Sequence, residues 1–273
     1  MANAKTTSSK FSRMFAFIAI PLVVVVGFLV YKFILGDSSH FEGGNNEGHP
    51  IPGDFLGMMY KGGFLVPILM GAFILVWSVF FERIFTLFSA SGKGSVQDFI
   101  RKIQHFLSSG DVASAISECD KQQGSVANVI RSGLEKYREV EKEPHMDRDQ
   151  KVLSIQKEIE ETTALELPML ERNLVILATL SAIATLMGLL GTVFGMIRAF
   201  SAIATSGAPD AVALSTGISE ALINTALGIS TSACAIVLYN YFTTRIDGMT
   251  YAIDEAGNSI TQTFAANHKL VGL

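Results

Sequence analysis

The sequence predicts an all-α integral membrane protein. It would have three core transmembrane helices, a further N-terminal transmembrane helix, and long helices extending into a helical cytoplasmic domain. Three observations carry this expectation. Of the 273 residues, 49% are hydrophobic and only 17% charged, against about a quarter charged in ordinary soluble domains, and mean hydropathy is +0.38. Four stretches approach or exceed the roughly 20 apolar residues that a helix needs to cross a bilayer. Between the second and third of them, apolar residues recur at helical spacing.

Taken in order, residues 1–13 carry Lys5, Lys10 and Arg13 and no acid, so the positive-inside rule keeps them in the cytoplasm. The first span, 14–35, is interrupted only by Lys32. Its apolar run is long for a signal peptide and no clean A-x-A site follows, so it reads as an uncleaved anchor. The loop 36–61 is acidic (Asp37, Glu42, Glu47 and Asp54 against Lys61) and rich in Gly, Asn and Pro, which suits an external, periplasmic turn. The second span, 62–88, is closed on the inside by Glu82 and Arg83. A third span, 173–200, has no charge from Asn173 to Ile197. The loop 201–215 holds Asp210 and no Lys or Arg, so it is external. The fourth span, 216–244, has Glu220 as its only charge, and Arg245 opens a cytoplasmic C-terminal helix or tail, 245–273. All four spans then agree on one topology, with both termini inside.

The cytoplasmic segment 89–172 holds 12 of the 21 basic residues. Helices are expected from Val96 to Leu107, after Gly110-Asp111 with Val112, Ala115, Ile116 and Cys119, and after Gly124-Ser125 with Val126, Val129, Ile130 and Leu134. A charged loop, Arg138 to Arg148, contains Pro144. From about Lys151 a long amphipathic helix with Val152, Ile155, Ile159, Thr162 and Leu165 leads into the third span. The plain reading is a small helical domain packed on itself. No nucleophile–base–acid set, metal-ligand cluster, P-loop or dinucleotide fingerprint occurs, so neither an enzyme nor a cofactor is expected. Cys119 and Cys234 lie too far apart for a CxxC site or a disulfide framework. A net charge of −4 argues against nucleic acid.

The third and fourth spans carry the signal. Ser181, Thr185, Gly188, Thr192, Gly195 and Ala199 form one stripe of small and hydroxylated residues, and Gly191 pairs with Gly195 as GxxxG. Gly217, Ala221, Thr225, Gly228, Ser232 and Ala235 form another. Such stripes let a second helix approach closely. Glu220, Asn224 and Thr231 share an adjoining polar face. A carboxylate inside an apolar span costs several kcal/mol unless it meets water or a partner. Thr192 lies eight residues inward from Phe200, about 12 Å, and Thr225 nine inward from Thr216, about 13 Å, so their hydroxyls should share one depth. A membrane threonine also serves simply by bonding its own i−4 carbonyl, and an outer-third glutamate by facing interfacial water. The residues alone leave these readings open.

At these positions the chain resembles a known family. Gly188-Leu-Leu-Gly-Thr192-Val-Phe-Gly-Met-Ile197, followed by Phe200, resembles the MotA/TolQ/ExbB proton-channel signature GLLGTVxGMIxxF. Gly217-Ile-Ser-Glu220-Ala-Leu-Ile-Asn224-Thr225-Ala-Leu-Gly228, followed by Tyr239-Asn240, resembles its partner motif GIxEALxxTAxG. Glu82-Arg83 and Gly110-Asp111…Ala115…Cys119 also fit, so the resemblance covers about residues 60 to 250. Within the family the motifs are nearest to ExbB/TolQ.

The resemblance implies a homo-oligomer, a pentamer, in the bacterial inner membrane, with spans 173–200 and 216–244 lining a central pore. The pore would hold an ExbD/TolR-like single-span partner dimer whose aspartate is the switching acid. It implies that Thr192, Thr225, Glu220 and Asn224 lie on the ion pathway, while Gly188, Gly191, Gly195, Gly217 and Gly228 serve helix packing. The proton motive force would then act through the complex on a TonB/TolA-like protein, for outer-membrane processes such as nutrient import. Two features depart from the pattern: Thr185 stands where many relatives have proline, and the N-terminal span exceeds the three-span plan. The four-span layout is similar to MotA, which keeps a flagellar or gliding stator as a rival reading. A passive membrane scaffold is the rival from another class.

Overall fold

The computed structural model describes residues 19–46, 48–205 and 211–268. The basic N-terminal 13 residues, the start of the first span at 14–18, Glu47, Asp210 with the rest of 206–210, and 269–273 lie outside the described residues. Nine helices can be followed among the described residues: α1 (Ala19–Leu35), α2 (Phe55–Tyr60), α3 (Val66–Ser91), α4 (Val96–Ser108), α5 (Val112–Gln122), α6 (Gly124–Glu141), α7 (Arg148–Glu171), α8 (Leu174–Thr205) and α9 (Ala211–Asn267). No strand occurs among the described residues beyond one isolated bridge, Phe41 with Pro50. Three helical stretches are long and apolar enough to cross a membrane, and α1 is a shorter apolar helix. The all-α membrane fold expected from the sequence is the fold observed.

The chain forms two compact units. The first comprises Met1–Phe81 with Asn173–Asn240, and the second Glu82–Arg172 with Tyr241–Leu273.

In the first unit, α1 packs on the start of α3 through glycines. A Cβ on Gly27 would stand 2.7 Å from the Pro67 carbonyl oxygen and 2.9 Å from the Gly71 nitrogen, and one on Gly71 would stand 3.2 Å from the Val23 carbonyl oxygen. Only backbones without side chains approach this closely. The last turn of α1, Tyr31–Leu35, widens into a π-helix. Tyr31 stacks on Tyr60 with ring centroids 4.7 Å apart and donates its hydroxyl to the Tyr60 carbonyl at 3.0 Å. Leu35, Met59 and Val66 form a small core beneath. Gly71→Leu is expected to prise α1 from α3. Overpacking of this kind costs roughly 1–3 kcal/mol, read as a lower melting temperature of the detergent-solubilised chain.

The loop before α3 is more ordered than a polar turn. Asp54 caps α2, its Oδ1 accepting from the Leu56 and Gly57 amides at 2.9 and 3.1 Å. His40 Nδ1 stands 2.7 Å from Asp54 Oδ2. That hydrogen bond, with the capping amides, holds the Asp54 carboxyl below its ordinary range. The second span begins as a helix at Val66 rather than 62, because Gly62 and Gly63 form a turn in which Gly63 has φ +79. Pro67 sits in the first turn, where its missing N–H leaves no helical bond unmade.

The second unit packs α4 to α7 with the last turns of α3 and the distal part of α9. Buried Phe99, Ile100, Ile103, Leu134, Tyr137, Ile155, Phe242, Ile253, Ile260 and Phe264 make its core. The Tyr137 and Phe264 rings meet edge to face at 4.7 Å, and Ser91 Oγ donates to Met249 sulfur at 3.9 Å. Burial pushes the Cys119 thiol up to about 12, so it packs as a small apolar side chain.

One local expectation fails in this unit. The charged loop is shorter than Arg138–Arg148. Helix α6 continues to Glu141 because Tyr137 and Val140 face the core, and α7 starts at Arg148 on a capping box between Asp147 and Gln150. Helix α7 leads into α8 as expected, with a two-residue break between them. Pro168 lies inside the last turns of α7, and Asn173, at φ 63, breaks the helix. Asparagine tolerates that left-handed conformation better than most residues.

Candidate functional site

Helices α8 and α9 are antiparallel neighbours whose small residues face each other. Buried positions on α8 are Ala184, Gly188, Gly191, Gly195 and Ala199, and on α9 Gly217, Ala221, Gly228 and Ala235. A Cβ on Gly195 would stand 2.6 Å from the Gly217 carbonyl oxygen, and one on Gly217 2.8 Å from the Gly195 carbonyl oxygen. A Cβ on Gly188 would stand 3.1 Å from the Gly228 Cα, and one on Gly228 2.6 Å from the Ala184 carbonyl oxygen. Gly191 leaves room for the Asn224 side chain, whose Cβ is 2.3 Å from where its own would be. The two stripes are thus the two halves of one seam inside the chain.

On one side of that seam Thr192 and Thr225 meet, hydroxyl to hydroxyl. The equal depth computed from the sequence is realised. Each also bonds its own helix, Thr192 to the Gly188 carbonyl at 3.4 Å and Thr225 to the Ala221 carbonyl at 3.0 Å, and Thr225 reaches Gly188 at 3.4 Å. Both side chains are half-buried. Thr192 lines an open apolar groove of about 620 Å³, with Val193, Met196, Ile197, Phe200 and Ser201. Among the described residues no carboxylate lines that groove.

Glu220 and Asn224 lie on the other side. At 100° per residue, Thr225 and Glu220 point about 140° apart around α9, and Thr192 and Arg198 about 120° apart around α8. The Glu220 side chain is 4% exposed, and Arg198 Nη1 donates to its two oxygens at 2.8 and 2.7 Å. Asn224 is fully buried. Its Nδ2 donates to the Gly62 carbonyl at 2.7 Å and to the Glu220 carbonyl at 3.0 Å, while Oδ1 has no partner among the described residues. Gly63 walls the carboxylate, since a Cβ there would stand 2.3 Å from Glu220 Oε1. Thr231, on the same face, is buried and bonds the Leu227 carbonyl at 2.8 Å.

The structure therefore divides the four residues into a threonine pair beside an open groove and a buried Glu220–Asn224 pair against the turn before α3. Sequence reasoning gave Arg198 no role. Depth arithmetic could have found its role, because Arg198 lies six residues from Thr192 and Glu220 five from Thr225, about 9 and 7.5 Å toward the same end. Nothing in the sequence pointed to the Gly62–Gly63 turn. Among the described residues no group of three His, Cys, Asp or Glu could hold a metal ion.

Residues 121–255 match the MotA/TolQ/ExbB proton channel family, a stretch that contains the whole seam. The chain is 29% identical over 137 residues to the Tol-Pal system protein TolQ of Pseudomonas aeruginosa, covering 48% of this chain and 59% of that one. It is 35% identical over 85 residues to the biopolymer transport protein ExbB of Pseudomonas putida, covering 31% and 26%. It is 40% identical over 70 residues to the biopolymer transport protein ExbB of Salmonella typhimurium, covering 26% and 29%. The chain spans less than two thirds of the length of each of these relatives.

Proposed function

The chain belongs to the MotA/TolQ/ExbB proton channel family, and on that footing we propose that it is the channel-forming subunit of a proton-motive-force-driven motor in a bacterial inner membrane. Five copies surround the membrane helices of an ExbD/TolR-like dimer, and the assembly energises a TonB- or TolA-like protein in outer-membrane processes such as nutrient import. The chain is not an enzyme. Four spans cross the membrane with both termini cytoplasmic, the second compact unit lies in the cytoplasm, and α8 and α9 face the pore.

The observation that carries this reading is the joined Thr192–Thr225 hydroxyl pair, half-buried beside an apolar groove. In an apolar wall, two hydroxyls that both donate and accept are a place where a protonated acid or a water is hydrogen-bonded without a fixed charge to trap it. Among the described residues no carboxylate lines the groove, and in this reading the acid that gains and loses the proton belongs to the partner. The i−4 bonds of both threonines favour the second reading, a passive scaffold in which the pair only packs.

Thr225→Val separates the two. It keeps the shape and removes the hydroxyl. Energised work is expected to fall about tenfold or more, one hydrogen bond being worth roughly 1 kcal/mol and more where the barrier depends on it, while the partner still co-purifies. Full work with intact assembly would leave the scaffold.

A further inference from the structure

We propose that Arg198 is a positioning residue that makes Glu220 a fixed countercharge, so that Glu220 does not carry the transported proton. This rests on the ion path proposed at Thr192 and Thr225 and deepens it.

A proton carrier needs an open oxygen that faces the groups with which it exchanges. Glu220 has neither. Both oxygens accept from one guanidinium nitrogen, at 2.8 and 2.7 Å, a charge-assisted contact stronger than a neutral hydrogen bond. On another side Gly63 comes so close that a Cβ would stand 2.3 Å from Oε1. The carboxylate points about 140° around α9 from Thr225, with the close-packed seam between them. Exposure is divided unequally: the Glu220 side chain is 4% exposed and that of Arg198 56%. The acid is enclosed and the base reaches outward, the reverse of an acid offered to a pathway.

The same contacts describe what the pair does instead. Arg198 stands on α8, Glu220 on α9, and the carboxylate rests on Gly63 at the entry to α3. One residue pair thereby sets the spacing of three elements. Asn224, a turn further along α9, repeats the tie through the Gly62 carbonyl at 2.7 Å. The groove keeps its shape because the far side of the seam is clamped. Removing either charge leaves the other without its partner. For the buried acid that is a large penalty, whereas removing both together is often tolerated.

The test is a double-variant cycle in the complete complex: Arg198→Gln, Glu220→Gln and both together, each measured for energised work in cells and for melting of the purified full chain in detergent. Each single change is expected to lower work, Arg198→Gln about tenfold or more because it strands the enclosed carboxylate, and Glu220→Gln less because the arginine it strands is 56% exposed. The double variant, which keeps two amides in place of the ions, should return to within about threefold of the parent, with melting losses far from additive. Arg198→Lys, which retains the charge, should recover most of the work lost in Arg198→Gln. An assembled double variant that is inactive, with Glu220→Gln inactive too, would overturn the proposal and make Glu220 a carrier. If the double variant does not assemble, the melting cycle decides, additive losses overturning the pair. Thr225→Val is measured alongside. If it is silent, the ion-path reading fails whatever the cycle shows. If it is inactive and the double variant is too, only the positioning role of Arg198 fails.

Discussion

Gly228→Leu is expected to abolish accumulation of the folded chain in the membrane, and Gly228→Ala to weaken it measurably. Even a single added carbon on Gly228 would stand 2.6 Å from the Ala184 carbonyl oxygen and 2.8 Å from the Gly188 Cα. Those neighbours are backbone, so no side chain can swing aside, and α8 and α9 must separate. Separation undoes the reciprocal contacts of Gly195 with Gly217, and it parts Thr192 from Thr225. Overpacking a tight interior costs about 1–3 kcal/mol, which the alanine variant should show as a lower melting temperature in detergent. Leucine adds three more carbons at a place where none fits. The rest of the seam cannot compensate, because Gly195, Ala199, Gly217 and Ala221 already meet at backbone contact distance. A leucine variant that accumulates and melts like the parent would mean that α8 and α9 do not pack through Gly228.

Periodicity explains why this seam could be read from the sequence at all. Gly188, Gly191 and Gly195 on one span, and Gly217, Ala221, Thr225 and Gly228 on the other, recur at three- and four-residue intervals, and a close helix pair is the arrangement that uses such a stripe. The shared depth of Thr192 and Thr225 follows from the helical rise alone, whereas their contact depends on which faces of α8 and α9 meet and is seen only in the structure. What was illegible depends on which side of a stripe a third element covers. Glu220 and Asn224 sit beside the seam, and the sequence offers no sign that the Gly62–Gly63 turn closes over them. Arg198 drew no reading because the positive-inside rule counts charges by loop and does not ask what they touch. The distal part of α9 was expected as a C-terminal helix or tail, but not as an unbroken continuation of the fourth span. Arg245 marks the end of an apolar run, yet the helix continues, because Ile246, Met249, Ile253, Ile260 and Phe264 keep a buried stripe going beyond it. The break between α7 and α8 turns on the φ of one residue, Asn173, which no apolar pattern records.

Arg83→Met is expected to destabilise the second unit by about 3–5 kcal/mol, the usual penalty for removing one member of a buried ion pair. Arg83 is 0% exposed. Its Nε and Nη2 each donate to one oxygen of Glu82 at 2.6 Å, and Nη1 donates to the Leu170 carbonyl at 2.8 Å. Leu170 is in the last turn of α7, where carbonyls have no partner within their own helix. One guanidinium therefore neutralises a carboxylate whose side chain is 8% exposed and caps the end of a helix 87 residues along the chain. Methionine fills similar space and does neither. Lysine would keep the charge but not the fork that reaches Glu82 and Leu170 together, so Arg83→Lys should recover only part of the loss. Removing Glu82 as well, in Arg83→Met with Glu82→Leu, should recover more than lysine does, since no charge is then left unpaired. Thermal melting of the detergent-solubilised chain reads all three variants. If the double change is no better than Arg83→Met alone, the stability comes from the Leu170 carbonyl rather than from the ion pair, and Arg83 serves chiefly to cap α7 just before the Asn173 break.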